Sequence, residues 1–242
     1  MRGKSHCTIG ILSSIQACIF FNIPISLFTL IISAFFSLLP DLDETNSTIS
    51  SFFMIKKFSN KSLKTIVYFL ILLIFLISIN ISSSLFVCFL LLAFFIIFIE
   101  SKFSKTHLKK FFVSFIFILI STLFYLITSN IYLSIFFLLI STFPWLKHRG
   151  FSHSILAILS IYFLLKNIES EFNINYISIL GTISYSSHIF LGDIFTKNGV
   201  PIFYPLIQKK ISLSPHPVGS YWCNFLEYFF IFCFILLIFY TI

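Results

Sequence analysis

Charge is the scarcest component of this chain. Of 242 residues, 10% are Asp, Glu, Lys or Arg, against 58% that are hydrophobic. A soluble domain carries about 25% charged residues, so this composition excludes an ordinary water-soluble globule and calls for an apolar solvent. Glycine is sparse, at seven residues, and no Rossmann or phosphate-loop glycine pattern occurs. The five cysteines (Cys7, Cys18, Cys88, Cys223 and Cys233) form no C-x-x-C pair. An odd number without framework spacing argues against structural disulfides and against a thiolate zinc site. The length leaves no room for a separate soluble catalytic domain beside the apolar segments, so residues 1–242 read as a single membrane domain.

What the chain does contain is a series of apolar stretches, at about 8–21, 25–39, 65–79, 84–99, 111–127, 131–145, 154–165, 176–191 and 222–242. The expected fold is all-α, a polytopic transmembrane helical bundle. Several stretches are nearer 15 residues than the roughly 20 of a full span. The 36 phenylalanines are assigned to lipid contact and bundle filling. Arg2 and Lys4 before an apolar run resemble a signal peptide, but no small-x-small site precedes Asn22-Ile23-Pro24, so the segment is expected to be retained.

Residues 9–39 allow either one long span or a hairpin of two short helices. Thirty-one residues would rise roughly 46 Å, beyond a hydrocarbon core of about 30 Å. Proline within a helix costs about 3 kcal/mol. A short N-terminal helical hairpin broken at Asn22-Ile23-Pro24 is therefore the better reading. It sorts fifteen Lys and Arg residues to one side and leaves Lys166 alone on the other. By the positive-inside rule the rich side is cytoplasmic. The formal charge of +8 then sets orientation in an inner (plasma) membrane, with the lipid bilayer as partner and no nucleic acid expected. Oligomeric state is left open.

Against this background, all three aspartates and four of six histidines lie at helix edges. They fall in four stretches: Ser5-His6, Pro40-Asp41-Leu42-Asp43, His148-Arg149-Gly150-Phe151-Ser152-His153, and His188 with Asp193. In an extended segment Asp41 and Asp43 would point the same way, although such a pair alone also reads as a solvated turn. Gly150 permits a tight turn, and Ser152 reads as the N-cap of a helix starting near His153. Arg149 suits an anionic substrate group, and a basic loop against headgroups is the competing reading. A histidine in a membrane segment, such as His188, is a functional hypothesis by default. Glu227, inside the last apolar segment, reads as a base or ligand-orienting group, or as a snorkelling side chain. His107 is expected to be solvated, and the course of the loop carrying His216 is left open. Converging on one face, His6, Asp41, Asp43, His148, His153, His188 and Asp193 supply nitrogen and oxygen donors for about one to three divalent ions, of a type suiting Zn, Mn or Fe.

These motifs resemble the YdjM-like family of predicted membrane-bound metal-dependent hydrolases of bacterial inner membranes. The resemblance rests on Ser5-His6, Leu39-Pro40-Asp41-Leu42-Asp43, His148-Arg149-Gly150-Phe151-Ser152-His153-Ser154, Ser187-His188, and Asp193-Ile194-Phe195-Thr196-Lys197-Asn198-Gly199-Val200-Pro201, with Tyr204-Pro205 beyond. It is anchored in residues 1–55 and 145–230, leaving 60–144 as inserted helical hairpins. It implies that the same seven residues, His6, Asp41, Asp43, His148, His153, His188 and Asp193, hold divalent metal, and that the activity is hydrolysis of a phosphoester or lipid-related substrate. The family is also distantly similar to zinc-dependent phospholipases C. The competing reading is a non-enzymatic membrane protein, a transporter or a structural protein with a metal-stabilised site. One departure stands out. The family spaces its late His and Asp four apart, whereas His188 and Asp193 are five apart, about 140° around a regular helix. A π-bulge, or a helix ending early at Gly192, would realign them.

Overall fold

A computed structural model describes residues 3–44, 47, 65 and 105–241. Seven α-helices are defined among them: α1 (Gly3–Phe20), α2 (Leu27–Leu38), α3 (Lys105–Thr128), α4 (Ile131–Thr142), α5 (Ile155–Phe172), α6 (Ile177–Ser187) and α7 (Tyr221–Thr241). No strand is formed among the described residues beyond one antiparallel bridge, Val200 to Ile211. The expected segments at 65–79 and 84–99 lie outside the described residues, apart from Thr65.

The N-terminal hairpin is present. α1 stops at Phe20, Asn22 takes a left-handed backbone (φ 54°), and α2 starts after Ser26. Ser26 and Thr29 exchange side-chain to backbone bonds of 3.2 and 3.0 Å in a capping box, which satisfies amides that a helix start leaves open. The two helices pack through small residues. A Cβ on Gly10 would lie 2.3 Å from Ser37 Cβ, so glycine is what lets the backbones approach. Ser14 of α1 bonds Ser184 of α6 at 2.6 Å. Without water between helices, contact area and such hydroxyl bonds drive association.

α3 and α4 form a second hairpin. Ser121 and Ser134 exchange hydroxyl-to-carbonyl bonds of 2.9 and 3.1 Å, and Trp145 Nε1 donates to Ser114 at 2.9 Å. α5 and α6 form a third, in which Asn173 turns left-handed at the end of α5 and Glu169 accepts from Ser178. The shared core holds Phe36, Leu39, Phe117, Phe136, Ile140, Ile161, Tyr185 and Ile189.

Among the described residues two helical segments, Lys109–Thr128 and Tyr221–Thr241, are long and apolar enough to cross a membrane. α2 and α4 are short, at 12 residues each, a rise of about 18 Å, while α1 and α5 have 18 residues each but are not apolar enough. The described residues establish an all-helical protein with two helices both long and apolar enough to span a membrane. α7 presents Tyr228, Phe232, Phe239 and Tyr240 outward, a surface suited to lipid rather than water.

Candidate metal centre

All four motif stretches meet at one end of the helices. The hairpin returns Asp41 to the level of His6, and α5 and α6 bring His153 and His188 beside them. Imidazole nitrogens and carboxylate oxygens of Asp41, His153, His188 and Asp193 all lie within 4.8 Å of one another. His153 Nε2 is 3.1 Å from Asp193 Oδ2, and His188 Nε2 is 3.4 Å from Asp41 Oδ1 and 3.7 Å from Asp193 Oδ2. His6 Nε2 stands 3.6 Å from Asp193 Oδ1, its ring stacked on His188 with centroids 3.7 Å apart.

These separations fit a shared cation. Ligand bonds of about 2.1 Å place neighbouring donors roughly 3.4 Å apart in a tetrahedron and roughly 3.0 Å apart in an octahedron. Although buried, Nε2 of His153 and Nε2 of His188 have no hydrogen-bond partner among the described residues. Their approach to the carboxylates lacks hydrogen-bond direction, and a buried polar atom without a partner is costly. The donor set, imidazole and carboxylate without thiolate, suits Zn, Mn or Fe.

The opposite ring nitrogens explain why Nε2 is offered. His188 Nδ1 lies 2.7 Å from the Ser37 carbonyl, which can only accept, so the proton sits on Nδ1. His148 Nδ1 donates in the same way to Asp43 Oδ1 at 2.7 Å. His153 Nδ1 meets Ser152 Oγ at 2.9 Å, and that hydroxyl itself donates to Asp43 Oδ2 at 2.6 Å. Such partners fix tautomer and ring direction in metal sites.

Asp43 therefore stands behind the donors rather than among them. Its oxygens accept from His148, Ser152 and the Arg149 backbone N–H (3.1 Å). Asp41 and Asp43 part because residues 39–43 form a 3-10 helix, not the extended segment expected. Two residues at three per turn differ by roughly 240°. Asp41 faces His188, and Asp43 faces His148 and His153.

The HRGFSH run differs in detail from expectation. Arg149, not Gly150, adopts the left-handed backbone (φ 56°); Gly150 is needed because a Cβ there would lie 2.7 Å from the Lys147 carbonyl. Ser154, not Ser152, caps α5, accepting from Ala157 N at 3.2 Å. Arg149 is buried, and its guanidinium donates to Asp193 Oδ1 at 2.8 Å and Thr196 Oγ1 at 2.7 Å.

The five-residue interval is resolved by a π-turn over His188–Gly192, with the Asp193 N–H donating to the carbonyls of His188 and Ile189. The wider turn returns both side chains to one side, as such bulges do at functional sites. Gly192 is required for a second reason. A Cβ there would come within 2.2 Å of the His6 ring.

Electrostatics follow the geometry. Burial opposes ionisation of Asp41, but the nearby charge of His188, with that of His6, holds the carboxyl down at about 2. Asp43 is likewise lowered, burial being outweighed by His153 and His148. For His153 burial disfavours charge, while Asp43 and Asp193 raise its proton affinity. A proton and a cation thus compete for the same nitrogen.

A second donor group, Asp41, Glu44 and His148, lies at the outer edge. Glu44 is half exposed, with Oε2 3.7 Å from His148 Nε2. Glu227 is not brought into either group; it accepts from Ser5, the residue before His6. Sequence reasoning placed Thr196 in the motif run without a role, and missed Glu44, the Ser37 carbonyl and Tyr185, whose hydroxyl bonds the Ser152 carbonyl. Glu44, one residue beyond Asp43, was the only one with a signal in the chain.

Fold and site together define an all-helical protein with a buried His/Asp cluster at one end that could hold a metal ion. The whole chain, residues 1–242, matches the family model described as YdjM inner membrane protein, and it belongs to that family. Comparison with curated proteins and with solved structures gives no match.

Proposed function

We propose that the protein is a membrane-bound metal-dependent hydrolase acting on a phosphoester or lipid-related substrate at the cytoplasmic face. The observation that carries the reading is the convergence of His153 Nε2, His188 Nε2, Asp41 and Asp193 at 3.1 to 3.7 Å, with ring nitrogens already aimed inward. Asp41, His153, His188 and Asp193 would hold the ion, with His6 of α1 stacked beside His188. A divalent ion bound there supplies Lewis acidity towards a phosphoryl or acyl oxygen and activates water near neutral pH.

The chain's own groups do the rest. Asp43 keeps the Nδ1 protons of His148 and His153 in place. Arg149 holds Asp193 and maintains positive potential beside the reacting centre. His148, partly exposed with Glu44 beside it, faces the open side, where substrate enters and a proton is exchanged with water. The fifteen-to-one distribution of Lys and Arg supports a cytoplasmic site by the positive-inside rule.

The test is hydrolysis of a chromogenic phosphodiester and of phospholipids by protein purified in mild detergent. The reading expects turnover that a chelator abolishes and Zn, Mn or Fe restores. Metal bound tightly with no turnover of any phosphoester or lipid ester would favour the structural alternative. A transporter is disfavoured because the polar cluster lies at one end of the helices.

A further inference from the structure

Between Asp193 and α7 the chain builds a rigid shelf. Val200 and Ile211 exchange backbone bonds of 3.0 and 2.9 Å, Leu213 N donates to the Ile194 carbonyl at 2.8 Å, and Lys197 N to the His216 carbonyl at 2.8 Å. Ile155 N, two residues beyond His153, donates to the Ile202 carbonyl at 2.9 Å. The shelf is thus fixed in register with the metal centre at both ends.

This fixed shelf is apolar on its outer side. Phe203, Leu206, Ile207 and Leu213 are exposed, Leu206 by 91%, and Lys209 and Lys210 are exposed beside them. Beneath it a groove of about 380 Å³ runs between α5 (Ile155, Leu156, Leu159) and residues 202–206. Leu156, Leu159 and Phe163 continue it as an exposed stripe along α5, at the i, i+3, i+7 spacing of one helix face. Tyr221 and Trp222, exposed at the start of α7, are the kind of aromatic side chain that collects at a membrane interface, and Trp222 stacks on His216 of the shelf.

Positive charge gathers where the shelf approaches the centre. Arg149 reaches the Gly199 carbonyl at 3.5 Å, next to the Val200–Ile211 bridge that carries Lys210. The Lys210 ammonium is pushed below its ordinary value, by burial first and then by the charges of Arg149 and Lys147, with Asp193 opposing. Lys147 and Lys210 are exposed at this end of the shelf, and their positive charge attracts an anion.

We propose that this shelf and groove seat an anionic phospholipid of the adjoining leaflet, with an acyl chain along Ile155, Leu159, Ile202 and Phe203 and the headgroup phosphate facing Lys147 and Lys210. The inference rests on the hydrolase reading and deepens it by naming the substrate class. Phosphate charge and acyl chain are recognised by separate parts of one surface, so a free phosphate lacks half of the site.

The test is lipid retention by the full chain, purified in mild detergent with equimolar phosphatidylglycerol and phosphatidylcholine, read by native mass spectrometry with metal content measured in the same samples. Wild type is expected to retain phosphatidylglycerol preferentially. K210E is expected to lower that preference by at least about fivefold, the effect of losing one lysine near an anionic surface. L159W, which fills the groove, is expected to lower retention of both lipids. Metal content is expected to stay at the wild-type level in both variants, and millimolar inorganic phosphate to leave lipid retention unchanged. Wild type without preference, K210E retaining full preference, L159W binding lipid normally, or displacement of lipid by inorganic phosphate would each overturn the lipid seat. Loss of metal from wild type would instead strike the hydrolase reading, so the two failures are distinguishable.

Discussion

Arg149 donates to Asp193 Oδ1 at 2.8 Å through its guanidinium, while its own backbone N–H donates to Asp43 at 3.1 Å. One buried residue therefore ties together a carboxylate that faces the ion site and one that orients two imidazoles. A lysine at 149 keeps the charge but cannot span Asp193 and Thr196 with a planar fork. R149K is expected to fold and to bind divalent metal roughly ten to a hundred times more weakly, the range for lost outer partners. Competition against a chromophoric chelator measures this, and an unchanged affinity would show that Arg149 does not position Asp193.

Asp43 and Asp193 are both buried aspartates near the same histidines, yet they should respond differently to amidation. D43N leaves every inward-facing donor in place and disturbs only the Nδ1 partners of His148 and His153, so about a ten- to hundredfold loss of metal affinity is expected. D193N removes an oxygen that faces two imidazoles, so binding should be lost altogether. Equal effects of the two, in side-by-side titrations, would contradict the division of roles.

The contact between Gly192 and His6 gives a coupled test. In G192A the added methyl would stand 2.2 Å from the His6 ring, and overpacking of this kind costs about 1–3 kcal/mol. Thermal unfolding in detergent should show a clear drop for G192A, largely relieved when His6→Ala is added. Additive losses in the double variant would mean that the two residues do not meet.

Metal removal offers another check. An ion bound only by the folded state stabilises it by mass action, so chelator treatment should lower the unfolding temperature of wild type and leave D193N unmoved. The same shift in both would place the stabilising ion elsewhere.

Much of this site was legible in the chain, for reasons that are physical. Asp, His and Arg are costly within apolar segments, so His6, Asp41, Asp43, His148, His153, His188 and Asp193 stood out when the four stretches were weighed together and matched to the family motifs, although each stretch alone also read as a solvated turn, a basic loop or a packing contact. The hairpin followed from the length of residues 9–39 and the Asn22-Ile23-Pro24 break, and its return placed His6 near Asp193. The five-residue interval from His188 demanded a local widening of the helix, which the π-turn supplies. What was not legible depends on dihedral detail. Nothing in Leu39-Pro40-Asp41-Leu42-Asp43 distinguishes a 3-10 turn from an extended one, yet that choice sends Asp43 behind the imidazoles. Nor does the sequence show that Arg149 faces inward to Asp193 and Thr196, because the left-handed backbone at 149 is selected by packing around Gly150.

The central claim is that Asp41, His153, His188 and Asp193 hold a divalent ion. Elemental analysis of the purified protein by inductively coupled plasma mass spectrometry, beside H188A and D193N prepared identically, tests it most directly. Stoichiometric Zn, Mn or Fe in wild type and its loss from both variants is the predicted result; wild type free of divalent metal, or variants that keep their full complement, would contradict the account.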